Sequence, residues 1–291
     1  SFLPNSQRNH AGLKVIVVGD FAQLPPVERS NGANKSWAFL DAVWTWSSFS
    51  MAYLRTQTRC KDPDYMRVLT FVRSGIVNSE VTDYLNSKMK PLPEIFDGTR
   101  LYPLRRQTED YNLQKLSELK SKEHQILSIA SGASKSVELL KKSAPIPEVL
   151  NLKEGALVML RQNDVLGRWV NGTLGHVQKI GEQKLKIELL NGRIAEIEKA
   201  SFSLMDADGD VVASLTNFPV TLAYASTIHK SQGSTLDRMA VNLQRLWEPG
   251  QAYVALSRIV SGEELYIEAW QPQSIRVDSK VAQFYRSHLK V

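Results

Sequence analysis

Several side chains between residues 227 and 232 could together bind an anion. Thr227 and Ser231 carry hydroxyls, His229 an imidazole, Lys230 an ammonium group and Gln232 an amide, and no carboxylate stands among them. Groups of these types suit a phosphate backbone better than a cation or a sugar. The stretch therefore predicts contact with a polyanion, and the solvated polar face of an ordinary amphipathic helix is the alternative.

The surrounding sequence predicts the elements that would position these side chains. The chain is expected to re-enter its main sheet at Phe218, and residues 220–223 are a short apolar run typical of a buried strand. Residues 224–232 then change to helical spacing, and Gly233 supplies a stop. A strand that leads into a short polar helix would place the polar residues at the carboxyl edge of a sheet, where open α/β sheets bind ligands.

Two distant segments carry further groups that could do chemistry. Residues 14–18 are an apolar, β-branched run that predicts a central parallel strand, ending at Gly19 and Asp20 and followed by Gln23. Taken alone, this segment could equally be a strand before an ordinary Pro-Pro turn. Residues 250–258 form a second Gly-led helical run, and this run ends in Arg258.

These segments resemble, in this order, blocks of the superfamily one DNA helicases of the petite-integration-frequency (Pif-type) family. The matching blocks are VVGDFAQLPPV at residues 17–27, TIHKSQGSTLD at 227–237 and GQAYVALSR at 250–258. Residues 169–175 also resemble the family's VNGT.G block, which leads into an inserted small barrel. The resemblance implies an ATP-dependent helicase that moves 5′ to 3′ along one DNA strand.

The resemblance also implies roles for individual residues. Gln23 would sense the terminal phosphate, Asp20 would help to hold the nucleotide site, and Arg59 and Arg258 would neutralise phosphate charge as trans-acting arginines. The family often has Gln where Cys60 follows Arg59, and an ordinary surface or salt-bridging role is the alternative for Arg59. The expected set is catalytic Gln23, Arg59 and Arg258; nucleotide-binding Gly19, Asp20, Gln232, Gly233, Gly250 and Gln251; and DNA-binding Thr227, His229, Lys230 and Ser231.

The phosphate-binding loop of such enzymes is not found in this sequence. No G-x-x-x-x-G-K-[ST] loop occurs in the 291 residues, and no Asp-Glu pair follows an apolar strand before residue 14. In the family both features precede the position at which this sequence starts. We therefore expect ATP and Mg²⁺ to be cofactors of the complete enzyme, and this chain alone to bind neither tightly and to lack ATPase activity. A P-loop-containing segment or partner chain would complete the site.

The predicted fold class is α/β. The resemblance implies a RecA-like second helicase domain, with a parallel sheet and helices on both faces, carrying an inserted small SH3-like β-barrel and preceded by the tail of a first RecA-like domain. We assign residues 1–50 to that tail, residues 51–175 and 217–291 to the second RecA-like domain, and residues 176–216 to the barrel. Residues 239–243 and 265–267 predict strands of this layer, and residues 251–258 and 281–289 predict helices.

Turn residues and caps predict several local elements. Asn171-Gly172 and Asn191-Gly192 suit hairpin turns between short strands at residues 176–180, 184–190 and 193–199. Asp62 and Pro63 predict the start of a helix that ends at Gly75 and buries Met66, Leu69 and Val72.

Further segments predict helices, a strand and a turn. Thr108 is expected to cap a helix with Leu113, Leu116 and Leu119 on one face, after a strand at residues 101–103. Residues 79–89 predict a short helix, residues 120–151 a surface connection with one or two short elements, and residues 206–210 a turn. Residues 36–49, rich in Trp and Phe, predict one or two helices whose apolar face packs on another chain or lies exposed as an interface.

Composition limits the remaining classes. The formal net charge of +6 favours a polyanionic partner, and 43% hydrophobic residues are enough for substantial cores. The single cysteine, Cys60, excludes an internal disulfide and a cysteine-rich zinc site. The sequence has no run of eighteen apolar residues and no signal-like start, so no membrane partner is expected. An intracellular location follows from the resemblance, which leaves nucleus and mitochondrion open.

Two alternatives stay open beside the helicase. The chain could be a catalytically inactive, helicase-derived scaffold of a nucleoprotein or ribonucleoprotein assembly, and the presence or absence of a P-loop upstream or on a partner would decide this. It could also be a nucleic-acid-binding β module, but the strands between residues 176 and 216 carry few aromatic side chains on which bases could stack. Single-stranded DNA is the expected partner in the helicase reading.

Overall fold

The computed structural model of the protein describes residues 14–26, 37–54, 56, 58–94 and 96–288. Among these residues, no helix combines the length and the apolar character that crossing a membrane requires. The helices are α1 (Ala42–Ser47), α2 (Pro63–Arg73), α3 (Ser79–Ser87), α4 (Arg105–Glu118), α5 (Ser134–Ser143), α6 (Gln251–Leu256) and α7 (Ser279–His288). The strands are β1 (Thr99–Tyr102), β2 (His124–Leu127), β3 (Ile129–Gly132), β4 (Val149–Leu152), β5 (Leu157–Leu160), β6 (Leu174–Ile180), β7 (Lys184–Leu189), β8 (Ile194–Glu198), β9 (Ala200–Met205), β10 (Val211–Asn217), β11 (Val220–Leu222), β12 (Ala225–Thr227), β13 (Met239–Asn242) and β14 (Leu265–Ala269).

The chain divides into two compact units. Unit 1 comprises residues 1–89, 243–257 and 267–291, and unit 2 comprises residues 90–242 and 258–266. Unit 1 contains the predicted helix α2, which begins where its caps indicate. The Asp62 carboxylate accepts hydrogen bonds from the backbone N–H groups of Asp64 and Tyr65, both at 3.1 Å. The buried face of α2 is wider than predicted because Tyr65 and Val68 join the stripe, while Met66 is only half-buried.

An aromatic cluster holds the first described segments of unit 1 against α7. Phe39 lies in a short 3-10 turn (Ala38–Leu40) and stacks on Phe284 with ring centroids 4.3 Å apart, and Phe21 meets Phe284 edge-on at 5.4 Å. Trp37 is buried in the same cluster. The predicted apolar face of residues 36–49 is therefore partly used within unit 1, while Leu40, Val43 and Trp46 remain about half exposed.

The prediction of a strand at residues 14–18 is wrong. This segment is extended without pairing into a strand, and Ile16 and Val18 are each 84% exposed. A strand needs a neighbour to satisfy its backbone N–H and C=O groups, and the described residues provide none here. The apolar, β-branched pattern would favour a strand here only if a neighbouring strand paired with the segment.

The parallel sheet of unit 2 confirms the predicted α/β class and is consistent with a RecA-like fold. Its strand order is β12-β1-β13-β14, and β1 pairs in parallel with both β12 and β13. Helix α4 is fixed to β12 by the Asn112 amide, which donates to the Ala225 carbonyl at 2.9 Å and accepts from the Ala225 N–H at 2.8 Å. The hydroxyl of buried Thr99 donates to the Ala223 carbonyl at 3.0 Å.

The other strands of unit 2 form antiparallel sheets. The largest has the order β11-β5-β6-β7-β8, and smaller sheets have the orders β3-β10-β9 and β2-β4. The predicted hairpin at Asn191-Gly192 is confirmed between β7 and β8, with Gly192 at φ +79°. Asn171-Gly172 instead closes the longer connection 161–173 between β5 and β6. The turn at residues 206–210 is confirmed between β9 and β10. Closure of these sheets into an SH3-like barrel stays a prediction.

Three further expectations for unit 2 are wrong. Residues 224–232 do not form a helix, because residues 225–227 pair as β12 along β1, and turns follow. Strand β11 belongs to the antiparallel sheet, beside β5, and does not enter the parallel sheet. Thr108 does not cap α4, which begins three residues earlier; its hydroxyl donates to the Leu104 carbonyl.

Residues 120–151 hold more structure than expected, namely β2, β3, α5 and β4.

Candidate nucleotide and nucleic-acid sites

In unit 2, the predicted polar residues lie in turns at the carboxyl end of β12. Thr227 Oγ1 accepts a hydrogen bond from the Lys230 N–H at 3.1 Å, and the Ser231 hydroxyl donates to the Ile228 carbonyl at 2.8 Å. Thr227 and Ser231 are buried, whereas His229, Lys230 and Gln232 are exposed. The hydroxyl groups therefore shape the turn, and the imidazole and ammonium groups face outward from it.

The same sheet edge carries the start of α4. The Ile228 N–H donates to the Tyr102 carbonyl at 3.0 Å, so the ends of β12 and β1 lie side by side. Arg105 opens α4 just after β1 and pairs with Glu109 at 2.6 Å. Sequence patterns did not assign Arg105 to the site, although a cation directly after a parallel strand was a usable signal.

Lys230 lies in a positively charged environment. Partial burial lowers its pKa from 10.5, the charges of Arg105 and Arg161 lower it further, and Glu109 opposes the shift. Arg161 follows β5, and burial lowers its pKa too; its guanidinium contacts the Met159 sulfur at 3.3 Å. Like charges held close together disfavour one another, and a phosphate between them would relieve that repulsion. Arg161 carried no sequence signal.

The connection 161–173 lies against the turns after β12. A Cβ on Gly172 would lie 3.0 Å from the Thr235 carbonyl oxygen and 3.3 Å from Ser234 Cβ. Gly172 has φ +101°, so both its conformation and this close approach require glycine. The Asn171 N–H donates to Asn163 Oδ1 at 2.8 Å. The VNGT block thus has a structural role beside the polar turns.

Arg258 is almost fully buried in unit 2, with 3% of its surface exposed. Its carbonyl accepts the Leu236 N–H at 2.9 Å, and Leu236 forms a parallel bridge with Ile259. The helix predicted over residues 251–258 ends earlier, at Leu256, and the residues that follow it are fixed beside the end of the TIHKSQGSTLD block.

In unit 1, Asp20 is bound by groups of the protein itself. Its carboxylate pairs with Arg73, with Oδ1 at 2.8 Å from Nη2, and accepts hydrogen bonds from the Tyr285 hydroxyl at 2.9 Å and the Ala22 N–H at 3.1 Å. Burial raises the pKa of Asp20, but Arg73 and these hydrogen bonds outweigh it and hold the pKa below 3.8. Arg73 also lies 4.4 Å from the centre of the Tyr285 ring.

The start of α6 approaches the segment after Asp20 within unit 1. Gly250 has φ +81°, and a Cβ there would lie 2.7 Å from the Ala22 carbonyl oxygen and closer still to that of Gln23. Gln251 is fully buried; its Oε1 accepts the N–H groups of Trp247 and Glu248, and its Nε2 has no hydrogen-bond partner. The predicted residues Gly19, Asp20, Gln23, Gly250 and Gln251 therefore occupy one region of unit 1.

Arg59 lies at the other end of α6. Its Nη1 donates to the Ser257 carbonyl at 2.8 Å, and the buried Tyr65 hydroxyl donates to the Leu256 carbonyl at 2.6 Å. Both bonds satisfy carbonyls that the helix end leaves without intrahelical partners. Arg59 is exposed, so it can also contact a ligand.

The residues of unit 1 that were predicted for the nucleotide site fit part of such a site, but they do not fit a Mg²⁺ site. The exposed Arg59 offers donors for phosphate oxygens, whereas Asp20 already neutralises Arg73. Within the described ranges, no group of three or more His, Cys, Asp or Glu side chains could hold a metal ion. Acidic ligands for Mg²⁺ would have to come from elsewhere.

Comparison with known proteins relates this architecture to a class of enzymes, the DNA helicases. The solved structure of the Pif1 helicase from Candida albicans superimposes with a TM-score of 0.74 at 30% identity, covering 93% of this chain and 68% of that chain. Pif1 helicase from Bacteroides, in complex with ADP-AlF3 and ssDNA, superimposes with a TM-score of 0.67 at 27% identity, covering 96% of this chain and 67% of that chain.

A curated relative gives the particular family. The ATP-dependent DNA helicase Pif1 of Bdellovibrio bacteriovorus is 46% identical over 275 residues, which cover 94% of this chain and 62% of the relative's length. No family model matches the sequence. This chain belongs to the Pif1 family of DNA helicases.

Proposed function

We propose that this chain is the carboxyl-terminal part of an ATP-dependent 5′-to-3′ DNA helicase, in which it binds single-stranded DNA and contributes arginines to ATP hydrolysis. The observation that carries the proposal is the exposed Lys230 at the carboxyl edge of a parallel sheet, with Arg105 and Arg161 close enough to lower its pKa. The relatives support it, because their names describe ATP-dependent DNA helicases and one of them is in complex with ssDNA.

On the DNA side, His229 and Lys230 would contact backbone phosphates directly. Thr227 and Ser231 would act by holding the turn, since both are buried and their hydroxyls bond within it. Gln232 and Gly233 would connect this contact to the nucleotide. A phosphate contact of this kind is independent of base sequence and weakens with salt.

On the nucleotide side, ATP and Mg²⁺ would serve the complete enzyme. Gln23 would sense the terminal phosphate, Gly19, Gly250 and Gln251 would line the site, and Arg59 and Arg258 would stabilise charge on the transferred phosphoryl group. Asp20 would act indirectly, by fixing Arg73 and the 20–23 segment. A P-loop-containing segment or partner chain would provide the phosphate cradle. We assign the antiparallel strands within residues 176–216 to an inserted SH3-like barrel.

The DNA contact is tested with Lys230→Ala. We expect weaker binding of a single-stranded oligonucleotide, and a slope of log affinity against log salt that is smaller by about 0.7 for each phosphate that the variant no longer neutralises. Anisotropy titrations between about 50 and 200 mM salt measure both. Lys186→Ala is the matched control, because Lys186 is an exposed lysine of the same unit on β7. Equal behaviour of the two variants would place the DNA contact elsewhere.

A further inference from the structure

The connection 161–173 is a loop held by internal hydrogen bonds, and it exposes aliphatic side chains at its tip. Val165 is 100% exposed, Leu166 77% and Val170 54%. Single exposed aliphatic residues are ordinary on protein surfaces, but two adjacent and almost fully exposed ones at a loop tip are less so. The tip therefore offers an aliphatic surface that a partner could cover.

Asp164 fixes the shape of this loop. Its carboxylate accepts hydrogen bonds from the backbone N–H groups of Leu166 at 3.0 Å and Arg168 at 3.1 Å, and from the Arg168 guanidinium through Nε and Nη2, both at 2.8 Å. Arg168 lies 4.7 Å above the ring of Trp169, which is buried in the core of unit 2. The Asp164 N–H donates to the Trp169 carbonyl at 3.0 Å and closes the base of the loop.

The surroundings of the loop favour a polyanion. It starts at Arg161, whose charge acts on Lys230, and it ends at the Gly172 turn, which packs on residues 234 and 235. The nearby carboxylates of Asp164 and Glu109 are already paired with Arg168 and Arg105. An apolar tip next to the cationic side chains of Arg161 and Lys230 matches a single strand of nucleic acid, which combines charged phosphates with apolar base faces.

We propose that Val165 and Leu166 pack against a base of the single strand whose phosphates Lys230 contacts. This inference rests on the proposed DNA-binding function and adds to it a contact with the bases. Apolar side chains such as Leu are known to pack on or between bases, and such contacts tolerate any sequence because every base has an apolar face. Arg161, at the start of the loop, contacts the adjacent phosphate.

The test compares two oligonucleotides of equal length and charge, one with normal bases and one built of abasic tetrahydrofuran units. The parent chain is expected to bind the normal strand about tenfold more tightly, in line with the contribution of single base contacts. The double variant Val165→Ser, Leu166→Ser is expected to lose this preference: its affinity for the normal strand falls about tenfold and its affinity for the abasic strand stays unchanged.

Controls separate this inference from the function on which it rests. Leu127→Ser removes another exposed leucine of unit 2, 64% exposed on β2, and should change neither affinity. Lys230→Ala should weaken binding of both strands by the same factor. A double variant that binds both strands like the parent, or weakens equally on both, overturns the base contact and leaves DNA binding intact. A parent chain that binds neither strand overturns the proposed function, and the base contact with it.

Discussion

The charge of the Asp20 carboxylate is balanced within unit 1. Arg73, Tyr285 and the Ala22 N–H all bond to it, and both partners of the ion pair keep less than a quarter of their side-chain surface exposed. Removing one partner of such a half-buried pair destabilises the fold, because the other charge is left buried without its counter-charge. The pair joins α2 and α7 to the 20–23 segment, so it supports the region that Gln23 and Gly250 occupy.

Asp20→Asn should therefore lower the free energy of unfolding at pH 7 by about 2 kcal/mol, since Arg73 loses its counter-charge. The pKa of Asp20 is lowered below 3.8 in the folded state, so its contribution is complete above that pH and disappears as the pH falls below it. Urea unfolding from pH 7 to pH 3 measures the difference between parent and variant, which should shrink toward acid. Asp83→Asn, on an exposed part of α3, is the control; a pH-independent difference would contradict the ion pair.

At the scale of elements, α6 is fixed at both ends within unit 1. Arg59 and Tyr65 donate to the carbonyls at its end, and the glycine before its start lies against backbone oxygens of the 22–23 segment. A helix of six residues gains little from its own hydrogen bonds, so these contacts determine its position. The GQAYVALSR block is therefore placed by residues distant in sequence.

Gly250→Ala tests this placement. The new Cβ would meet the carbonyl oxygens of Ala22 and Gln23, which cannot move aside as a flexible side chain can, and φ +81° adds backbone strain. We expect a loss of about 3 kcal/mol in unfolding free energy, from strain plus steric overlap. Gly192→Ala has a similar φ of +79° with nothing within 4 Å, so it should cost only about 1 kcal/mol. Equal losses, measured by urea unfolding, would mean that the close approach is absent.

Local signals predicted many elements because their causes are local. Asp62 and Pro63 gave the start of α2, and Asn191-Gly192 gave the hairpin between β7 and β8. The helix predicted at residues 224–232 failed for a non-local reason. Pairing of β12 with β1 and the Asn112 amide hold Ala225 extended, and neither partner is visible in the local spacing.

In the candidate sites, too, features with local causes could be predicted and features that depend on distant residues could not. The family resemblance assigned both Gln23 and Gly250 to a nucleotide site, and a Cβ on Gly250 would indeed lie close to the Gln23 carbonyl. Their partners could not be predicted, because Arg73 lies 53 residues and Tyr285 265 residues from Asp20 along the chain. Arg161 was missed because it follows β5, a strand of an antiparallel sheet, where the rule for the ends of parallel strands gives no signal, and its proximity to Lys230 depends on the fold.

At the scale of the whole molecule, the excess of basic residues bears on the proposed DNA binding, and the absence of a P-loop bears on the proposed ATP hydrolysis. The net charge of +6 favours attraction of a polyanion, and Arg105 and Arg161 lie close enough to Lys230 at one sheet edge for their charges to lower its pKa. Hydrolysis of ATP, by contrast, requires a phosphate cradle, which these 291 residues do not contain. DNA binding and ATP hydrolysis should therefore be separable in this chain.

The chain alone should bind single-stranded DNA without hydrolysing ATP, because an arginine has no transition state to stabilise when the phosphates are not held. When a P-loop-containing segment completes the site, DNA-stimulated phosphate release should appear, and Arg59→Ala should lower kcat by about three to five decades, as removal of an arginine finger does. Arg67→Ala, which removes another exposed arginine of unit 1, should leave kcat unchanged. Two outcomes would contradict this prediction. If the chain alone hydrolysed ATP in response to DNA and Arg59→Ala abolished that activity, these residues would form a complete site. If Arg59→Ala and Arg67→Ala had equal rates in the completed enzyme, Arg59 would have no role in catalysis.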